Sequence, residues 1–149
     1  MPWKFSVLAA VLVLLIGVVT APNQPSAHAG ATGIVKERMD AMEVIKDAAK
    51  ALKGGLVDGN GAAPEAMRAE AQKISDRAGE ALLRLYPEGS RTGVTEAKAE
   101  IWTDWERFAE LAHLFKARAD AVVAEPTKAT FVPLAQTCKT CHEDFKAED

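Results

Sequence analysis

Apolar residues spaced three and four apart dominate residues 96–124: Ile101, Trp105, Phe108, Ala112, Phe115, Ala119 and Val122. That spacing lines one stripe of an α-helix and cannot line one face of a strand, whose period is two. The pattern recurs three more times. Residues 34–53 carry Val35, Met42, Ile45, Ala49 and Leu52, with Arg38 at the remaining stripe position. Residues 64–85 carry Met67, Ala71, Ile74, Ala78, Ala81 and Leu85. Residues 128–146 carry Phe131, Leu134, Cys138, Cys141 and Phe145. Four such helices with short connections bury their stripes together as an all-α, antiparallel four-helix bundle. Gly54-Gly55 is expected to stop the first helix and Pro64 to open the second. Tyr86-Pro87-Glu88-Gly89 breaks the second pattern, and Glu125-Pro126 ends the third. Pro133 falls within the fourth segment, so that helix should either kink there or begin there.

The first 29 residues stand apart. Lys4 precedes an apolar run over residues 5–21, followed by Pro22, Pro25 and the triplet Ala27-His28-Ala29. A basic start, an apolar middle and an A-x-A end make a secretory signal peptide. The competing reading is an uncleaved anchor, although the run falls just short of the ~20 apolar residues a spanning helix needs. The expected organisation is a signal over 1–29 and one bundle domain over 30–149, exported to the periplasm and without a membrane span after cleavage. With 18 Lys and Arg against 21 Asp and Glu, the chain has no basic footprint for nucleic acid.

The chain has two cysteines, and their spacing is specific: Cys138-Lys139-Thr140-Cys141-His142 is C-x-x-C-H, the attachment sequence of c-type haem. Positions i, i+3 and i+4 share one helix face. Both thiols can therefore meet one edge of a porphyrin while His142 addresses its iron. One covalent haem c is expected, held by Cys138 and Cys141 and ligated by His142. Three other readings compete. A zinc site wants a second ligand pair, and the other histidine of the bundle domain, His113, lies off the main stripe of its helix, where it should be solvated. A thioredoxin-like pair wants a βαβ context. A disulfide across one helical turn closes too short a loop to stabilise much. The sixth ligand decides the function: His alone leaves an open site for gases, whereas His with Met makes an electron carrier. Met42 lies mid-stripe on the first helix, Met39 on its flank, and Met67 near a bundle end. Spacing leaves Met42 open between iron ligand and core filler.

These residues resemble the class II cytochromes c, which include cytochrome c′. The resemblance covers the whole chain after the signal. It is most specific in the last helix: Phe131-Val132-Pro133-Leu134, with Pro133 five residues before Cys138, then 138–142 and Lys146 four residues after His142. Glu100-Ile101-Trp102 with Phe108 also fits the family's pattern. The resemblance implies that Arg38, four residues before Met42, sits near a haem propionate. It also implies that Met42 ligates the iron in the low-spin branch, that Lys146 lies near His142, and that Trp102, Trp105 and Phe108 are candidates to line the haem crevice. For Arg38 the alternative is a side chain snorkelling from the stripe; for Lys146 it is a helix-end cation.

The expected function is thus periplasmic electron transfer by a mono-haem cytochrome with His142 and Met42 as axial ligands, exchanging electrons with redox partner proteins. The alternative is a five-coordinate protein binding nitric oxide or carbon monoxide. An enzyme would want a distal acid–base group such as His, which the first helix lacks. The Ala-rich faces of the first two helices permit a homodimer, as relatives form.

Overall fold

The computed structural model describes residues 30–147, so the signal expected over 1–29 lies outside the described residues. The elements are α1 (Gly33–Leu56), α2 (Pro64–Ser75), α3 (Glu80–Leu83), α4 (Glu100–Thr103), α5 (Trp105–Ala124) and α6 (Lys128–Phe145). The four long helices form the bundle: α1 packs on α2, α2 on α5, α5 on α6, and α6 closes against α1. Among the described residues there is no strand, only an isolated antiparallel bridge between Ala97 and Lys146. None of the described helices is long and apolar enough to cross a membrane.

Three boundaries depart from the expectation. Gly54-Gly55 does not stop α1, which continues to Leu56. A Cβ on Gly55 would stand 2.3 Å from Met67 Sδ, so this glycine permits a close helix approach. The second segment breaks after Ser75 and resumes as the single turn α3. Gly79, at the break, has φ of 59°, in the left-handed region that glycine favours, and donates its amide to Ala112 O of α5. The third segment is not helical from 96 and is interrupted at Asp104 (φ −126°, ψ 54°) between α4 and α5. Residues 96–98 are drawn instead against the end of α6, where Lys98 donates its amide to Phe145 O.

The last helix starts before Pro133. Thr127 and Thr130 form a reciprocal capping box, and the helix runs on through the proline. Buried apolar residues fall into two clusters. One holds Ile45, Leu52, Ile74, Phe115 and Leu134 among others. The second gathers Leu82, Tyr86, Ile101, Phe108, Leu111 and Phe145. Met42 packs against both, Cys138 against the first and Cys141 against the second. The functional site lies at this seam.

Candidate functional site

A cavity of about 470 Å³ opens between the clusters. α6 supplies Cys138, Cys141 and His142 to its lining, α1 supplies Met39, Met42 and Arg38, and α5 supplies Phe108, Leu111 and Phe115. The three motif residues thus meet on one wall, as their helical spacing requires. Both cysteines are free thiols. Burial pushes each thiol up to about 11, so both stay protonated at neutral pH and neither is a poised redox thiol. Among the described residues, no group of three or more His, Cys, Asp and Glu has an arrangement that could hold a metal ion.

His142 lines the cavity although the residue as a whole is exposed. Partial desolvation of its ring lowers its pKa first, the Lys146 ammonium lowers it further, and Glu96 opposes them. The neutral imidazole that results is the form able to coordinate a metal. Lys146 lies near His142, as the resemblance implied, and its Nζ stands 3.1 Å from Glu96 Oε2.

Arg38 differs from a snorkelling side chain. It is 3 % exposed, and it donates from Nε to Leu85 O, from Nη1 to Ser90 O at 3.1 Å, and from Nη2 to Ser90 Oγ. Its guanidinium lies 4.5 Å from the centroid of Tyr86 and 5.5 Å from that of Trp102. Three of its five N–H donors hold the loop after α3.

Tyr86 is the residue that pattern reading missed. Beside Pro87 it reads as a helix breaker, yet its side chain is buried and lines the cavity next to Phe108 (centroids 4.9 Å apart, edge to face). Burial pushes its hydroxyl up to about 12, against the opposing charge of Arg38. No periodicity marks it, because it stands on a loop folded back over the bundle. Of the three aromatics named as candidates, Phe108 lines the cavity; Trp102 and Trp105 border a separate surface crevice that shares Tyr86 with it. Trp102 donates its Nε1 hydrogen to Pro87 O at 3.0 Å. Met67 packs in the bundle core away from the cavity lining. His113 is exposed, with Nε2 at 2.8 Å from Glu80 Oε1.

The arrangement offers two thiols, an imidazole and two thioethers around an otherwise largely apolar space. The chemistry of that donor set fits a haem anchored from α6. The family described as Cytochrome C′ matches residues 33–146. Cytochrome c′ of Rhodocyclus tenuis is 28% identical over 127 residues, covering 78% of this chain and 95% of its own. The structure of cytochrome c′ from Thermochromatium tepidum aligns with a TM-score of 0.71 at 22% identity, over 83% of this chain and 98% of that one. A triple variant of Rhodopseudomonas palustris cytochrome c′ aligns with a TM-score of 0.71 at 26% identity, over 79% of this chain and all of its own. The family match spans every residue that lines the cavity, and the chain belongs to the cytochrome c′ family.

Proposed function

We propose that the chain is an exported mono-haem c-type cytochrome that binds a small gas, nitric oxide or carbon monoxide. The observation that carries this reading is the convergence of Cys138, Cys141 and His142 on one largely apolar cavity. Cys138 and Cys141 would anchor the haem through thioether bonds, and His142 would give its ring lone pair to the iron. Bound there, haem supplies an iron that cycles between ferric and ferrous states and takes diatomic ligands. Phe108, Leu111 and Phe115 line the space with apolar side chains, and Met42 bounds it from α1. Binding, not turnover, is the activity proposed.

Membership of the cytochrome c′ family supports gas binding better than it supports the electron carrier with His142 and Met42 as axial ligands. One observation favours that second reading: the Met42 side chain lines the cavity and packs against both clusters, where a thioether could reach a metal. Optical spectra of the purified ferrous protein, with and without carbon monoxide, separate the two. Gas binding predicts a high-spin spectrum that carbon monoxide shifts. Sharp low-spin bands unmoved by carbon monoxide would instead assign Met42 to the iron and electron transfer to the protein. Cleavage after Ala29 and a homodimer through α1 and α2 belong to the same proposal; N-terminal sequencing and sedimentation of the exported protein test them.

A further inference from the structure

The surface crevice bordered by Trp102 and Trp105 has a volume of about 390 Å³, within the range of small-molecule sites. Leu83 and Tyr86 of its lining are buried, Trp102 is half-buried and Trp105 is 41 % exposed. Both indoles are held in place. Trp102 donates from Nε1 to Tyr86 O at 3.2 Å and to Pro87 O at 3.0 Å. Trp105 stands 5.6 Å, centroid to centroid, from the buried Phe108. Rings already fixed lose little freedom when another ring packs against them, and aromatic pairs gain beyond the area they bury. The remaining lining decides which ring-bearing molecule fits. Arg84 and Glu88 both line the crevice, and among the described residues neither side chain has an ion-pair or hydrogen-bond partner.

We infer that this crevice is a second binding site, for a zwitterionic α-amino acid with an aromatic side chain. The ring packs on Trp102 and Trp105, the ligand's carboxylate accepts from the Arg84 guanidinium, and its ammonium donates to the Glu88 carboxylate. Simpler ligands fit less well. A cation would pair with Glu88 but cover Arg84 unpaired. It would also meet the field of Arg38, whose guanidinium lies 4.5 Å from the Tyr86 centroid and 5.5 Å from that of Trp102. An anion would leave Glu88 covered and unpaired, and an uncharged ring would do the same to both groups. The zwitterion alone gives each side chain its opposite charge. The site is separate from gas binding and does not depend on it.

The test is isothermal calorimetry of the exported protein with L-phenylalanine and L-tryptophan. At least one should bind with a Kd of ~1 mM or tighter, whereas L-alanine, with the charges but no ring, should give no measurable binding. The amide of the bound amino acid keeps the ammonium alone, and its N-acetyl form keeps the carboxylate alone. Each should bind about fivefold more weakly, the most that an exposed ion pair gives. Arg84→Gln should weaken the amino acid about fivefold and leave its amide unchanged. Glu88→Gln should weaken it likewise and leave the N-acetyl form unchanged. Trp105→Leu should also cost about fivefold. All three replaced side chains are exposed, so the variants keep the fold. Binding of neither amino acid overturns the inference. So do blocked forms that bind as tightly as the zwitterion, which would mean that the ring alone is held. Full affinity in Trp105→Leu would place the ligand elsewhere and overturn it too. None of these outcomes bears on the haem reading, which the carbon monoxide spectra decide.

Discussion

A guanidinium taken out of water must recover its hydration from the protein, and Arg38 recovers it from the loop carrying Leu85 and Ser90. The sequence shows an arginine on an apolar stripe and cannot show which carbonyls will meet it, because those lie 47 and 52 residues away. Arg38→Ala should therefore cost about 3 kcal/mol by removing several charge-assisted bonds at a buried site. Urea unfolding measures this; a loss below ~1 kcal/mol would mean that the loop is held by other contacts. Tyr86, against the same guanidinium, makes stability depend on alkaline pH. Its folded pKa is raised to about 12, above the ~10 of an unfolded tyrosine. Its contribution is complete below pH ~10 and declines as pH rises from there towards 12, by about 2–3 kcal/mol in total. Tyr86→Phe should flatten that part of the stability profile and leave the neutral part little changed. An identical alkaline slope in the variant would place the titration elsewhere. Neither role was legible locally: Arg38 takes its partners from a loop 47 and 52 residues away, and Tyr86 owes its raised pKa to burial in the folded bundle, against the opposing charge of Arg38.

Helices are legible where a stripe repeats without competition from distant contacts. Val35, Ile45 and Leu52 on α1, and Phe131 and Leu134 on α6, were placed inward by spacing alone, and all five are buried. The pattern fails where tertiary contacts outweigh propensity. At 96–98 the backbone pairs with residues 145–147, and at Gly79 the chain turns against Lys116 of α5. Gly55 shows the same principle inside a helix. A glycine there loses about 1 kcal/mol of helix propensity relative to alanine, so sequence reading takes it as a stop. Its use is steric, since a Cβ would meet Met67 Sδ at 2.3 Å and Ala62 Cβ at 3.0 Å. Gly55→Ala should destabilise the bundle by about 1–2 kcal/mol, overpacking outweighing the propensity gain. In a Met67→Ala background the penalty should shrink or reverse, because the space is then vacant. Thermal unfolding of the four proteins in this cycle measures the coupling. Additive effects would show that α1 and α2 do not press on each other at this point.

At the scale of the whole molecule, residues of both core clusters line one cavity. Met42 packs against both clusters, whereas Cys138 packs against the first and Cys141 against the second. The C-x-x-C-H motif made this part of the site legible before any fold, because its chemistry needs a prosthetic group of fixed shape. The cavity's size was not legible, since it depends on how far α1, α5 and α6 stand apart. At ~24 cal/mol per Å³, leaving the whole volume unfilled would cost up to about 11 kcal/mol, comparable with the total stability of a domain. The figure is an upper bound, because the cavity is partly open to the surface. Haem attachment on this account completes the core as well as supplying the iron. A Cys138→Ala/Cys141→Ala chain, unable to form the thioether bonds and purified free of haem, should keep most of its helical far-ultraviolet dichroism. It should lose the near-ultraviolet signal of Trp102, Phe108 and Tyr86, bind a hydrophobic dye and unfold without a sharp transition. The wild-type holoprotein should unfold cooperatively under the same conditions. A haem-free variant with native near-ultraviolet dichroism and a sharp transition would show that the two clusters hold the bundle together without the group between them.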